Sequence, residues 1–286
     1  MKQIVVISGK GGTGKTILSA SFAALARNKV MVDCDVDAAD LHLLLHPKIK
    51  ERNEFKSGKT ARIDRALCKE CGKCIKACRF NAINQNFAVD SISCEGCGLC
   101  VYICPANAVA MEENLSGEWF ISESKYGPFV HAKLGIASEN SGKLVSKIRQ
   151  VAKEIADREK TDYIIIDGPP GIGCPVIASL SGVDLAVIVT EPTVSGIHDM
   201  TRVLEVAAHF DIKTGVVINK YDLNLQNSKL IEEFCKVKNI NIIGQIPFSL
   251  EVNRSIVKTV PAVEFCSGII REKITAIWET VVNNVG

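Results

Sequence analysis

The stretch Gly9-Lys-Gly-Gly-Thr-Gly-Lys-Thr16 decides the fold of this chain. It follows an apolar, β-branched run, residues 3–8, and precedes a segment with helical spacing, residues 17–27. Strand, loop and helix in this order are the context that a phosphate-binding loop requires. Glycines let backbone N–H groups converge on phosphates, Lys15 is expected to neutralise β- and γ-phosphate oxygens, and Thr16 to ligate Mg²⁺. The predicted nucleotide-binding residues of the loop are Gly9, Lys10, Gly11, Gly12, Thr13, Gly14, Lys15 and Thr16.

Outward from the loop, short apolar runs alternate with helical segments along the chain. Strands are predicted near residues 30–35, 163–167, 185–190, 214–219 and 242–247, with helices between them. Repeated β-α-β units of this kind predict an α/β fold, in which helices cover both faces of a mostly parallel sheet. The polar segment at residues 49–61 carries no clear pattern.

Composition and charge exclude some classes of function for this chain. The chain has 286 residues, 47% of them hydrophobic, and a net charge of +2 with basic residues spread along its length. No concentrated positive region is present, so nucleic acid is not expected as a partner. No apolar run reaches the length of a membrane span, and the N-terminus shows no cleavage site for export, so a cytoplasmic protein is expected.

Eight of the twelve cysteines form two runs that repeat at an offset of 26 residues. Each run has the spacing C-x₂-C-x₂-C-x₃-C of bacterial ferredoxins, in which three cysteines bind one [4Fe–4S] cluster and the fourth binds the other. Structural zinc is the less favoured alternative, because zinc sites usually close with two pairs. Arg79 replaces the proline that would follow the first run. The predicted ligands are Cys68, Cys71, Cys74 and Cys104 for one cluster, and Cys94, Cys97, Cys100 and Cys78 for the other.

These runs divide the chain into three parts. Residues 1–61 and 112–286 are predicted to form one P-loop ATPase domain, and residues 62–111 an inserted, ferredoxin-like α+β domain with two [4Fe–4S] clusters. The loop Gly9-Lys10-Gly-Gly-x-Gly-Lys-Thr resembles the deviant phosphate loop of the MinD, ParA and nitrogenase iron protein class. The whole chain resembles MinD-superfamily ATPases that carry a ferredoxin insert, which are related to Mrp/NBP-type ATPases.

That resemblance implies roles for four charged residues. In the family, the first lysine of the loop reaches the nucleotide of a partner subunit, so Lys10 implies a homodimer that closes on ATP. Asp35 corresponds to the aspartate that orients the attacking water, and Asp33 to a second residue near Mg²⁺. Asp167, at the end of an apolar run, matches the carboxylate that holds metal-bound water. Lys10, Lys15, Asp35 and Asp167 are thus the expected catalytic residues, with Mg²⁺ near Thr16, Asp33, Asp35 and Asp167.

Three further residues carry narrower expectations. Asn219 ends a strand where an amide could recognise a purine, and Pro247 resembles the family's proline beside adenine, although either residue could simply end its strand. Asp222 lies where GTPases select guanine, but the rest of the chain favours ATP. Cys174 lies seven residues after Asp167, like a cluster ligand of the nitrogenase iron protein, and could bind a dimer-bridging metal or be structural.

The expected function is ATP hydrolysis coupled to electron transfer through two [4Fe–4S] clusters to a redox partner. The alternative is a carrier that delivers clusters or metal to an apo-acceptor protein, and a MinD- or ParA-type positioning ATPase ranks last. A homodimer is expected, and a heterodimer with a related ATPase remains open.

Overall fold

A computed structural model of the chain describes residues 1–135 and 140–285. It divides into two compact units, Met1–Asn53 with Trp119–Lys133 and Ser141–Gly286, and Glu54–Glu118 with Leu134–Asn140. The strands are β1 Lys2–Ser8, β2 Lys29–Asp33, β3 Lys48–Ile63, β4 Val109–Ser124, β5 Gly127–Leu134, β6 Tyr163–Pro170, β7 Leu185–Thr190, β8 Thr214–Asn219 and β9 Asn241–Ile246. The helices are α1 Lys15–Leu25, α2 Leu41–Leu45, α3 Lys73–Ala77, α4 Leu99–Tyr102, α5 Ser141–Glu159, α6 Cys174–Leu180, α7 Val194–His209, α8 Leu225–Val237, α9 Leu250–Val257, α10 Ala262–Phe265 and α11 Gly268–Val285.

The strands of the described residues form one sheet in the order β3-β4-β5-β2-β6-β1-β7-β8-β9. In this sheet order, every neighbouring pair between β5 and β9 is parallel, which confirms the predicted α/β class. Asp33 at the end of β2 is in register with Asp167 on β6. Because parallel strands end at one edge of a sheet, both carboxylates lie beside the loop that follows β1.

Burial of aliphatic side chains on both faces of the central strands stabilises the first unit. Ile4 to Ile7 of β1 and Ile165 and Ile166 of β6 are fully buried, as expected for strands covered by helices on both sides. The C-terminal α11 packs its apolar stripe on this core, and the Trp278 ring lies 5.0 Å from that of Phe22. Among the described residues, no helix combines the length and the apolar character needed to cross a lipid bilayer.

Two features differ from the sequence-based expectations. Residues 49–61, whose sequence shows no clear pattern, belong to the 16-residue strand β3, most of which is exposed. A strand without a buried face lacks the apolar alternation that would identify it. The second unit also extends beyond the predicted insert, residues 62–111, because β3 and β4 continue on either side of the cysteine runs.

Candidate functional site

The phosphate loop has the backbone geometry of an anion cradle. Gly14 has φ 94° and precedes Lys15, the first residue of α1. A Cβ at Gly14 would lie 2.4 Å from the side-chain nitrogen of Asn219, and a Cβ at Gly9 would lie 2.4 Å from the backbone of Asp199. Glycine is therefore required at position 14 by its positive φ and the nearby Asn219 amide, and at position 9 by the close approach of the Asp199 backbone.

Lys15 is the centre of a buried group of charges. Its Nζ donates to Asp35 Oδ2 at 3.2 Å and lies 3.8 Å from Asp167 Oδ1. Burial lowers the pKa of Lys15, but the carboxylates of Asp167, Asp35 and Asp33 outweigh burial and raise it. The Lys15 ammonium group is therefore charged and lies beside the carboxylates of Asp35 and Asp167.

Asp33 and Asp167 are held by different donors. Asp33 is fully buried and accepts hydrogen bonds from the backbone N–H groups of Asp35 and Leu41, at 3.0 and 3.2 Å. Burial, followed by the nearby Asp167, raises its pKa well above the usual value. Asp167 Oδ1 accepts from Ser19 Oγ at 2.8 Å, whereas Oδ2 is buried without a hydrogen-bond partner. Burial also raises the pKa of Asp35.

Asp167 Oδ2, which has no hydrogen-bond partner, indicates whether these residues fit a cation. A buried carboxylate oxygen without a donor is costly, and it is relieved by a metal ion or its bound water. The donor set of carboxylate and hydroxyl oxygens suits Mg²⁺. In the described residues, however, no three His, Cys, Asp or Glu side chains converge closely enough to hold a metal ion by themselves. Lys15 contacts both Asp35 and Asp167. The oxygens of a bound phosphate would therefore be needed to complete the coordination of Mg²⁺.

The remaining predicted nucleotide residues make specific contacts within the chain. Lys10 Nζ donates to Ser195 Oγ, at the start of α7, over 3.1 Å. Asn219 Nδ2 donates to the carbonyl of Thr13 at 2.8 Å, and its Oδ1 accepts from the Lys220 N–H. The Asn219 amide therefore braces the phosphate loop. Pro247 follows β9 and is half-buried, and Thr16 is half-buried in the first turn of α1.

The second unit contains two small cavities, each lined by four cysteines. One cavity is lined by Cys68, Cys71, Cys74 and Cys104. The other is lined by Cys78, Cys94, Cys97 and Cys100. These are the two sets that the ferredoxin spacing groups together.

The two cavities have the same backbone construction, related by the 26-residue offset. α3 follows Gly72 and α4 follows Gly98, and both glycines have positive φ, 70° and 74°. The Ala82 N–H donates to Cys78 Sγ at 3.4 Å, and the Ala108 N–H donates to Cys104 Sγ at 3.3 Å. N–H donation to sulfur stabilises thiolates that bind metal. The thiols and their donors thus suit iron–sulfur ligation, although no set of three already converges on a point.

The other cysteines have separate environments. Cys174 is exposed and is the first residue of α6, three residues after Gly171, which follows the end of β6. Cys34, Cys235 and Cys266 are buried, and burial raises the pKa of the Cys235 thiol to about 11. These three are inert apolar side chains in the core.

Comparison with known proteins identifies the family. The model of the CobQ/CobB/MinD/ParA nucleotide binding domain matches residues 4–262. The chain belongs to this family. An uncharacterized protein of Methanocaldococcus jannaschii is 37% identical over 262 residues, covering 89% of this chain and 87% of that protein. The septum site-determining protein MinD of Synechocystis is 26% identical over 252 residues, covering 85% and 75%.

Solved structures agree on the fold. MinD of Pyrococcus horikoshii, complexed with Mg-ADP, aligns with a TM-score of 0.61 at 18% identity, covering 100% of this chain and 97% of that one. MinD of Pyrococcus furiosus aligns with a TM-score of 0.60 at 17% identity, covering 99% and 98%. With the family match, the chain is therefore a P-loop ATPase of the MinD/ParA type.

Sequence reasoning missed one residue beside the predicted nucleotide residues, Ser19, and did not anticipate the observed contact of another, Asp222. Ser19 holds the Asp167 carboxylate from α1, and a serine in a helix one turn after the loop carries no motif signal. Asp222 accepts the Phe248 N–H at 2.7 Å and so joins the loop after β8 to the loop after β9. Its carboxylate is occupied by this backbone contact, whereas the sequence suggested only a base-selecting role.

Proposed function

We propose that this MinD/ParA-family ATPase is a cytoplasmic iron–sulfur protein that couples ATP-driven dimer closure to electron transfer through two [4Fe–4S] clusters. The observation that carries the proposal is the pair of cavities in the second unit, each lined by one complete four-cysteine set. A redox partner protein would receive or supply the electrons. When bound, such clusters accept and release single electrons at potentials set by their thiolates and N–H donors.

The ATPase half of the proposal assigns one task to each charged residue. Lys15 would exchange its contact with Asp35 for the β- and γ-phosphates, which frees Asp35 to orient water for attack on the γ-phosphorus. Thr16, Asp167 and Asp33 would hold Mg²⁺ and its bound waters, and the unpartnered Asp167 Oδ2 supports this assignment. The P. horikoshii MinD structure contains Mg-ADP, which supports the same ligand here.

Dimer closure would depend on Lys10. Its ammonium now contacts the exposed Ser195 hydroxyl, a weak contact that a triphosphate in a partner subunit could replace. Asn219 and Pro247 would lie near the base, and Cys174 would approach the dimer axis, where it could share a bridging metal. The partner is a second copy of this chain or a related ATPase.

Anaerobic purification tests both halves together. The expected material contains iron and inorganic sulfide in equal amounts and gives electron paramagnetic resonance signals after reduction. The rate of oxidation by an added acceptor should differ between nucleotide-free, ADP and ATP states. Lys10→Ala should abolish that difference without loss of iron, and Lys2→Ala, at a half-buried lysine on β1, is the matched control. Identical rates in all three states would refute the coupling.

A second candidate, delivery of clusters to an apo-acceptor, is favoured by the exposure of Cys71 and Cys97. These equivalent cysteines occupy the second position of each run, so each cavity has one thiol open to exchange. Transfer of radiolabelled iron to an apo-ferredoxin, faster with ATP than without it, would favour delivery over electron transfer.

A further inference from the structure

The two cysteine cavities share one backbone but differ in the charges that line them. Lys69 and Lys73 line the cavity of Cys68, Cys71, Cys74 and Cys104. Their counterparts 26 residues later, Glu95 and Leu99, line the other cavity. Lys76, one turn after Lys73, corresponds to Tyr102. Among the lining residues, the first cavity therefore has two lysines and the second has a glutamate and no basic side chain, although the exposed Arg79 follows Cys78 of the second set.

The charges of the three lysines are not neutralised by the part of the chain that the structure describes. All are exposed, and within residues 1–135 and 140–285 none makes an ion pair. Glu70, the carboxylate adjacent to Lys69, is held by Arg65 at 3.0 Å and is not available to neutralise them. Lys73 and Lys76 project from the same side of α3, so their charges add.

Two large apolar side chains stand beside the other cavity at the positions equivalent to Lys73 and Lys76, and Glu95 lines it where the first cavity has Lys69. Tyr102 is 90% exposed, and Leu99 is 43% exposed. Since like charges crowded on a short helix are unfavourable in the free protein, the lysines at these positions indicate an external, negatively charged ligand.

We propose that Lys69, Lys73 and Lys76 form the docking surface for an electron-carrier protein with an acidic surface. The redox class of this partner rests on the proposed function, whereas its acidity rests on the three lysines. Positive charge at a rim steers an acidic partner and accelerates its association, and the steering weakens with salt. A short patch of three lysines, flanked by the Arg65–Glu70 pair, is too small for the extended basic stripe that nucleic acid binding requires.

Calorimetric titration with a flavodoxin of net negative charge, under anaerobic conditions and at low salt, tests the surface. The variant K69E/K73E/K76E should weaken binding by about tenfold or more and should flatten its salt dependence. The control K229E/K236E/K238E changes the net charge equally at three exposed lysines around α8 and should bind like the wild type. K76E alone, which does not line the cavity, should show part of the loss.

Carbodiimide coupling should join flavodoxin carboxylates to these three lysines. Equal affinities for both triple variants, or lysine-dependent binding of anionic vesicles or a DNA duplex in place of flavodoxin, would overturn the inference. Iron and sulfide are assayed on the same samples. Their absence from the wild type would refute the proposed function, while the titration would still decide the docking surface.

Discussion

The two compact units bury very different amounts of apolar surface. The largest fully buried side chains, among them Phe22, Phe129 and Ile165, all belong to the first unit. In the second unit the buried apolar positions are small or few: Ala61, Cys74, Ala82, Ile83, Ala108 and Val109. A unit with so small a core usually needs disulfides or metal to fold. The ATPase unit is therefore stabilised by its own packing, whereas the cysteine unit would depend on the clusters proposed to bind its thiols.

Removing the metal gives the sharpest test of this difference. Chelation under reducing conditions should unfold the second unit, because a structural metal contributes on the order of 10 kcal/mol to a small domain. Hydrogen exchange followed by mass spectrometry should show loss of protection across residues 54–118. Strands β1, β6 and β7 should keep their protection in the same samples and so provide an internal control. Retained protection in residues 54–118 would mean that the small core suffices.

A reciprocal pair of substitutions separates the chemistry of the units. Lys15→Met removes the ammonium group from Asp35 and Asp167 and should lower the rate of ATP hydrolysis at least about 100-fold, with unchanged iron content. Cys104→Ala should lower the iron content by up to half and leave basal hydrolysis close to that of the wild type. Phosphate release and iron assays measure both effects, and Lys2→Met is the surface control. Loss of iron in Lys15→Met would contradict the separation.

The features that the sequence predicted are those encoded by residues close together in the chain. The phosphate loop and the buried strands were predicted because eight consecutive residues and local apolar runs encode them. Strand β3 was not predicted, since its exposed residues lack a periodic signal. The contact of Ser19 with Asp167 joins residues 148 positions apart, and that of Asn219 with Thr13 joins residues 206 apart. Such contacts depend on strand order, which no local pattern contains. The cysteine spacing grouped the four cysteines of each cavity because the ferredoxin pattern assigns the fourth cysteine of each run to the other set.

The smallest expected effect concerns a histidine in the core of the first unit. His131 stacks between Phe129 and Phe120, with ring centroids 4.7 and 4.9 Å away, and its Nε2 is 3.0 Å from Ser122 Oγ. Burial, with a smaller contribution from His42, lowers its pKa to about 4. The folded protein therefore keeps this ring neutral at pH values where the unfolded chain protonates it.

Because the unfolded chain binds the extra proton, the free energy of unfolding should fall as the pH drops from about 6.5 toward 4. Above about pH 6.5 His131 contributes no pH dependence to the free energy of unfolding. Between pH 6.5 and 4 the loss of this free energy should approach about 3 kcal/mol. His131→Phe should remove this part of the slope in urea unfolding measured at several pH values. Losing the Ser122 contact shifts the free energy equally at each pH, so the slope isolates the titration. The exposed control His209→Phe should keep the wild-type slope, and an unchanged slope in His131→Phe would show that another group titrates.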